Sequence, residues 1–94
     1  SYSVEENATG LLDVIVYPNP GNGVFICAYP PGGAVQMEIF NPLGMLIRKL
    51  ECAGIITGHG IAEIDLLNQP PGFYLLKVTQ DGRTRTVKLI KNEN

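Results

Sequence analysis

Apolar and polar residues alternate along most of this chain, and proline and glycine interrupt the alternation at short intervals. The clearest stretch is 34–40, where Val35, Met37 and Ile39 fall on one side and Gln36 and Glu38 on the other. A period of two is that of a strand with one buried face. Leu12-Asp13-Val14-Ile15-Val16-Tyr17 is β-branched and aromatic, and stops at Pro18-Asn19-Pro20-Gly21-Asn22-Gly23. Proline fixes φ and lacks a donor, while Asn and Gly tolerate φ > 0, so that block ends a strand and turns the chain.

The same reading continues to the other end. Residues 24–29 form a second strand, closed by Pro30-Pro31-Gly32-Gly33. Strands 34–40 and 45–52 flank the turn Asn41-Pro42-Leu43-Gly44 and read as a hairpin with a four-residue loop. Residues 60–66 make a fifth strand, with Ile61 and Ile64 as expected anchors. Residues 73–80 make a sixth, with Tyr74, Leu76 and Val78 opposed to Phe73, Leu75 and Lys77. Asp81-Gly82 is the strongest hairpin signal in the chain and leads into 83–90. The expected fold is all-β, a seven-stranded antiparallel immunoglobulin-like β-sandwich. Tyr74, Leu76, Val35, Ile39 and Phe25 are its expected interior.

Composition fits one such module. The chain has 94 residues, of which 45% are apolar and 17% charged, so it folds rather than staying disordered. A domain near this size buries about 60–65% of its unfolded surface, enough for one core. A net charge of −2 gives no basic footprint for nucleic acid. No apolar run approaches the roughly 20 residues of a membrane-spanning helix. The opening Ser1-Tyr2-Ser3-Val4-Glu5-Glu6-Asn7 reads as part of a polar linker, 1–12, joining an upstream domain to a folded unit at 13–94. Any export signal is then expected upstream, since the opening lacks a signal-peptide pattern.

Candidate chemistry is sparse. His59, the single histidine, sits in Gly58-His59-Gly60 without a neighbouring acid or a nucleophile motif, and a triad needs all three parts. Asp13, Asp65 and Asp81 flank turns, where Asp serves local hydrogen bonding, with a calcium site built from one or two of them as the alternative. Cys27 and Cys52 lack zinc spacing and read as buried free thiols or as one disulfide. Asn7-Ala8-Thr9 fits a glycosylation sequon. No catalytic set, cofactor or metal site follows, and the domain is expected not to be an enzyme.

Four segments then carry a resemblance. Val16-Tyr17-Pro18-Asn19-Pro20, followed by Gly23-Val24-Phe25, is similar to the opening of the type A C-terminal sorting domains of the type IX secretion system. Val35-x-Met37-x-Ile39-Phe40-Asn41-x-x-Gly44-x-x-Ile47 resembles that family's middle hairpin, with Asn41 where Asp is frequent. Ile64-Asp65-Leu66 leading to Pro70-Pro71-Gly72-Phe73-Tyr74 resembles its next stretch, and Lys88-Leu89-Ile90-Lys91 its basic, apolar ending. Gln69 departs from the family, standing where an apolar residue is usual, and Asn92-Glu93-Asn94 extends past the usual end.

The resemblance implies a sorting role for Pro18, Asn19, Pro20, Gly72, Tyr74, Lys88, Leu89, Ile90 and Lys91. It implies an export address, in transit through the periplasm of Bacteroidetes bacteria and bound for the cell surface or secretion. The implied partners are an outer-membrane translocon, a surface sortase that cuts near or before residues 1–12, and an upstream cargo. Lys88 and Lys91, flanking Leu89, are expected to keep their heads in water and form a charged edge. The competing reading is a fibronectin-like accessory module that binds carbohydrate or acts as a spacer.

Overall fold

A computed structural model describes residues 12–93. Seven strands follow in order: β1 (Ile15–Tyr17), β2 (Val24–Tyr29), β3 (Val35–Phe40), β4 (Leu46–Cys52), β5 (Gly60–Asp65), β6 (Gly72–Gln80) and β7 (Arg83–Lys91). They form a three-stranded sheet, β1-β2-β5, and a four-stranded sheet, β4-β3-β6-β7, with every ladder antiparallel. This is the expected immunoglobulin-like sandwich. Six strands lie within one residue of their sequence-derived bounds. The first is shorter, because its ladder to β2 starts at Ile15↔Ala28; Leu12 and Val14 ahead of it are nonetheless buried in the core.

The inner faces alternate as a half-buried strand must. Phe25, Cys27 and Tyr29 of β2 meet Val35, Met37 and Ile39 of β3 and Tyr74, Leu76 and Val78 of β6 in one cluster. Each large apolar side chain so buried contributes about 1.5–3 kcal/mol relative to exposure. All five interior residues expected from the sequence are buried. Ile61 is the exception among the anchors: it is 58% exposed, and Ala62 and Ile64 face inward instead. Positions 61 and 64 differ by an odd number, so a strand cannot bury both on one face.

Turn chemistry agrees with the sequence. Asp81 (φ 52) and Gly82 (φ 76) are both left-handed, the requirement of a type I′ hairpin. Asn41 Oδ1 accepts from the Leu43 and Met45 amides at 2.9 and 3.0 Å and so shapes the β3–β4 loop. Tyr74, near the start of β6, donates its hydroxyl proton to the Pro70 carbonyl. Such a tyrosine corner recurs in immunoglobulin-like sandwiches. Tyr29 crosses between the sheets: its ring lies over Gly60, and its hydroxyl donates to the Ala53 carbonyl at 2.9 Å. Gln80, buried at the end of β6, donates to the Pro30 and Gly33 carbonyls at 3.0 and 3.1 Å.

Candidate functional site

The nine residues singled out by resemblance lie in three separate parts of the sequence, and the fold brings all three together around β7. On its inner edge β7 pairs with β6, placing Lys91 opposite Gly72 and Leu89 opposite Tyr74. Leu89 and Tyr74 both point into the core. Gly72 has φ +141, with nothing within 4 Å of the place a Cβ would take. Its need for glycine is therefore conformational, not steric.

The outer edge of β7 would otherwise present unpaired backbone groups. The Pro18-Asn19-Pro20-Gly21 turn occupies it. Asn19 Nδ2 donates to the Lys88 carbonyl at 2.7 Å, and Asn19 Oδ1 accepts from the Ile90 amide at 2.9 Å. One side-chain amide thus satisfies a donor and an acceptor of the strand, as a neighbouring strand residue would. The backbone then takes over. Gly21 N donates to the Ile90 carbonyl at 2.9 Å, and Asn92 N donates to the Gly21 carbonyl at 2.7 Å. Gly21 and Lys91 form a parallel bridge. The peptide bonds preceding Pro18 and Pro20 are both cis. Neither proline has an N–H to compete for the strand. A Cβ on Gly21 would stand 2.8 Å from the Pro18 carbonyl oxygen, so this tight turn also needs its glycine. Further along the same strand, Arg85 donates to the Leu12 carbonyl at 3.1 Å.

Of the two lysines, Lys91 departs from expectation. Lys88 is exposed, with its Nζ 4.9 Å from the centre of the Phe73 ring. Lys91 is only 9% exposed. Its stem lies against Gly23, where a Cβ would stand 3.0 Å from Lys91 Cε and 2.9 Å from Leu67 Cδ2. Three positions apart on a strand, the lysines face opposite sides of the sheet. They do not form one charged edge. Gly23, which takes φ +130 to make this contact, is a participant that sequence reading passed over as a turn glycine.

The solvent side of the same region is apolar. Leu46, Phe40, Leu75 and Lys88 stand in one cross-strand row, and Phe73 and Ile90 pair beside it. Leu46, Leu75, Phe73 and Ile90 are all exposed. A solvent-facing side of an antiparallel sheet is ordinarily polar, and a contiguous apolar patch marks a contact surface.

Other candidates do not converge. His59 is exposed in the loop before β5. Asp65 Oδ1 accepts from the Leu67 amide at 2.9 Å, the local turn role expected of it, whereas Asp81 Oδ2 accepts from the Gly33 amide at 3.2 Å and so ties the β6–β7 turn to the loop before β3. Among the described residues no three His, Cys, Asp or Glu side chains gather to hold a metal ion. Cys27 and Cys52 are free thiols, and burial, with the Cys52 charge behind it, pushes Cys27 up to about 11. Gln69, half-buried, donates its backbone N–H to the Leu66 carbonyl at 3.0 Å. Asn7 of the sequon, the body of the linker and Asn94 lie outside the described residues.

No curated protein matches this chain. Residues 15–92 match the family model for the secretion system C-terminal sorting domain, a span running from the first residue of β1 to one residue past β7. The chain belongs to the C-terminal sorting domain family of type IX secretion, whose members act as export signals.

Proposed function

We propose that this domain presents its last strand and the apolar ground beside it to the outer-membrane translocon, as the address that exports an upstream cargo. The observation that carries this reading is the Asn19 clamp. It joins Pro18-Asn19-Pro20 to Lys88-Leu89-Ile90-Lys91, two motifs about 70 positions apart, into one surface backed by Gly72 and Tyr74. The translocon meets Lys88, Phe73, Leu75 and Ile90 from the solvent side. Leu89, Lys91 and Tyr74 hold the strand from within.

On this reading the domain passes through the periplasm folded, and a surface sortase cuts within or before residues 1–12. The cargo is then anchored at the surface or released, and the domain performs no reaction of its own. A reporter fused ahead of residue 1 tests this in a host competent for type IX secretion. Surface display should require the domain, and an unrelated fibronectin-like sandwich in its place should leave the reporter inside. Equal display from both fusions would remove the address from this chain.

A further inference from the structure

The contacts along the outer edge of β7 have an order. From its start to its end they tie it to one stretch of chain, residues 12–21. Arg85 donates to the Leu12 carbonyl at 3.1 Å. Asn19 bridges the Lys88 carbonyl and the Ile90 amide at 2.7 and 2.9 Å. Gly21 then donates to the Ile90 carbonyl at 2.9 Å and accepts from the Asn92 amide at 2.7 Å. Residue numbers rise together on the two sides of this seam, so the stretch lies parallel to β7, as the parallel Gly21–Lys91 bridge shows directly. The ladders within both sheets are all antiparallel.

Parallel order decides how the seam responds to force. The chain enters the core at Leu12, at the Arg85 end of β7, and β7 runs out at Lys91, at the opposite end. Tension between those two points slides the stretch and the strand past one another along their length. The five hydrogen bonds are then strained together, and the buried side chains of Leu12 and Val14 must leave the core in the same step. Tension between Leu12 and the start of β7 instead opens the seam from the Arg85 end, one bond after another. Behind β7, the ladder to β6 runs the whole length of both nine-residue strands, so the seam is the shorter tie and sets the limit.

We infer that the seam between residues 12–21 and β7 is a mechanical tie: the domain resists force applied between its N-terminal side and the end of its last strand, and yields to force that peels the two apart. The use of such a tie rests on the sorting reading, in which the machinery holds the last strand while a cargo is joined at the other end. The tie itself follows from the order of the bonds.

The test pulls the purified full chain at constant force in two directions. Handles at Ser1 and Asn94 shear the seam, and handles at Ser1 and Thr84, an exposed position near the start of β7, peel it. At one force the sheared domain should unfold at least about tenfold more slowly than the peeled one, the factor equivalent to 1.4 kcal/mol. Forced unfolding reads the unfolding rate, and the equilibrium stability of the domain is common to both directions. Asn19→Ala should cut the ratio at least about threefold, whereas a general loss of stability speeds both directions alike and leaves the ratio unchanged. Arg85→Gln, a milder change at an exposed residue, should lower it in the same sense. Equal rates in the two directions, or a ratio that neither variant lowers, would overturn the inference. Neither outcome depends on export, so failure of the sorting reading shows separately, in the display of the reporter fusion.

Discussion

Asn19 and Ile90 stand 71 positions apart in the sequence, yet the Ile90 amide donates to Asn19 Oδ1 at 2.9 Å while Asn19 Nδ2 holds the Lys88 carbonyl at 2.7 Å. The bonded groups are exposed, so water replaces part of what a substitution removes. Asn19→Ala should therefore cost about 1–2 kcal/mol. The loss should be read by urea unfolding, together with faster hydrogen exchange at the Ile90 amide. Asn19→Asp keeps the acceptor and loses the donor, and should fall between. An unchanged exchange rate at Ile90 in Asn19→Ala would refute the clamp.

Gly72 and Gly23 separate two reasons for glycine. Both have left-handed φ, but only Gly23 is crowded, by Leu67 and Lys91. Gly72→Ala should cost about 1–2 kcal/mol, and Gly72→Val up to about 3, for conformation alone. Gly23→Ala should cost more than Gly72→Ala, since it adds displacement of the Lys91 stem. Equal midpoints for the two alanine variants would contradict this.

Lys88 and Lys91 should behave differently on truncation. Lys88→Ala removes an exposed charge and a ring contact worth about 0.5–1 kcal/mol at most. Lys91→Ala uncovers packed surface as well, and should be the more destabilising of the two by about 1 kcal/mol. Denaturation of the single variants settles the order.

Alkali should weaken the domain. Burial first, and the Cys52 charge second, raise Cys27 from 9.0 to about 11. Burial also raises Tyr29 and Tyr74 above their ordinary values. In each case the folded state holds its proton longer than the unfolded chain. That contribution is complete below pH 9 and is lost as pH rises through the folded values. Stability should thus be flat to about pH 8.5 and decline between about pH 9 and 11, by on the order of 1–2 kcal/mol for Cys27. Cys27→Ala should flatten part of the decline, and a profile identical to wild type would exclude Cys27 as its source.

Strands β3, β5 and β6 were legible because one face of each is buried and the other wet, which leaves a period of two in the sequence. The turns were legible because Asp81-Gly82 and the proline-glycine blocks dictate backbone geometry locally. Ile61 was misread because apolar character alone does not choose a face, and the neighbouring Ala62 is too small to announce itself as core. Lys91 was misread because a lysine stem can be buried while sequence records only its charge. Resemblance located the pieces of the sorting surface, but their union was not legible at all. No local pattern says that Asn19 completes the edge of a strand beginning more than sixty residues later.

The most direct measurement is surface display of a reporter carrying this domain with its exposed apolar ground altered and its fold kept. Leu75→Thr with Lys88→Ala changes two side chains that face solvent and leaves Asn19, Tyr74 and Leu89 in place. Display of this variant should fall at least about tenfold, while the purified domain should melt within about 2 °C of wild type. Display at the wild-type level, with the fold intact, would mean that the surface beside the last strand is not what the secretion machinery reads.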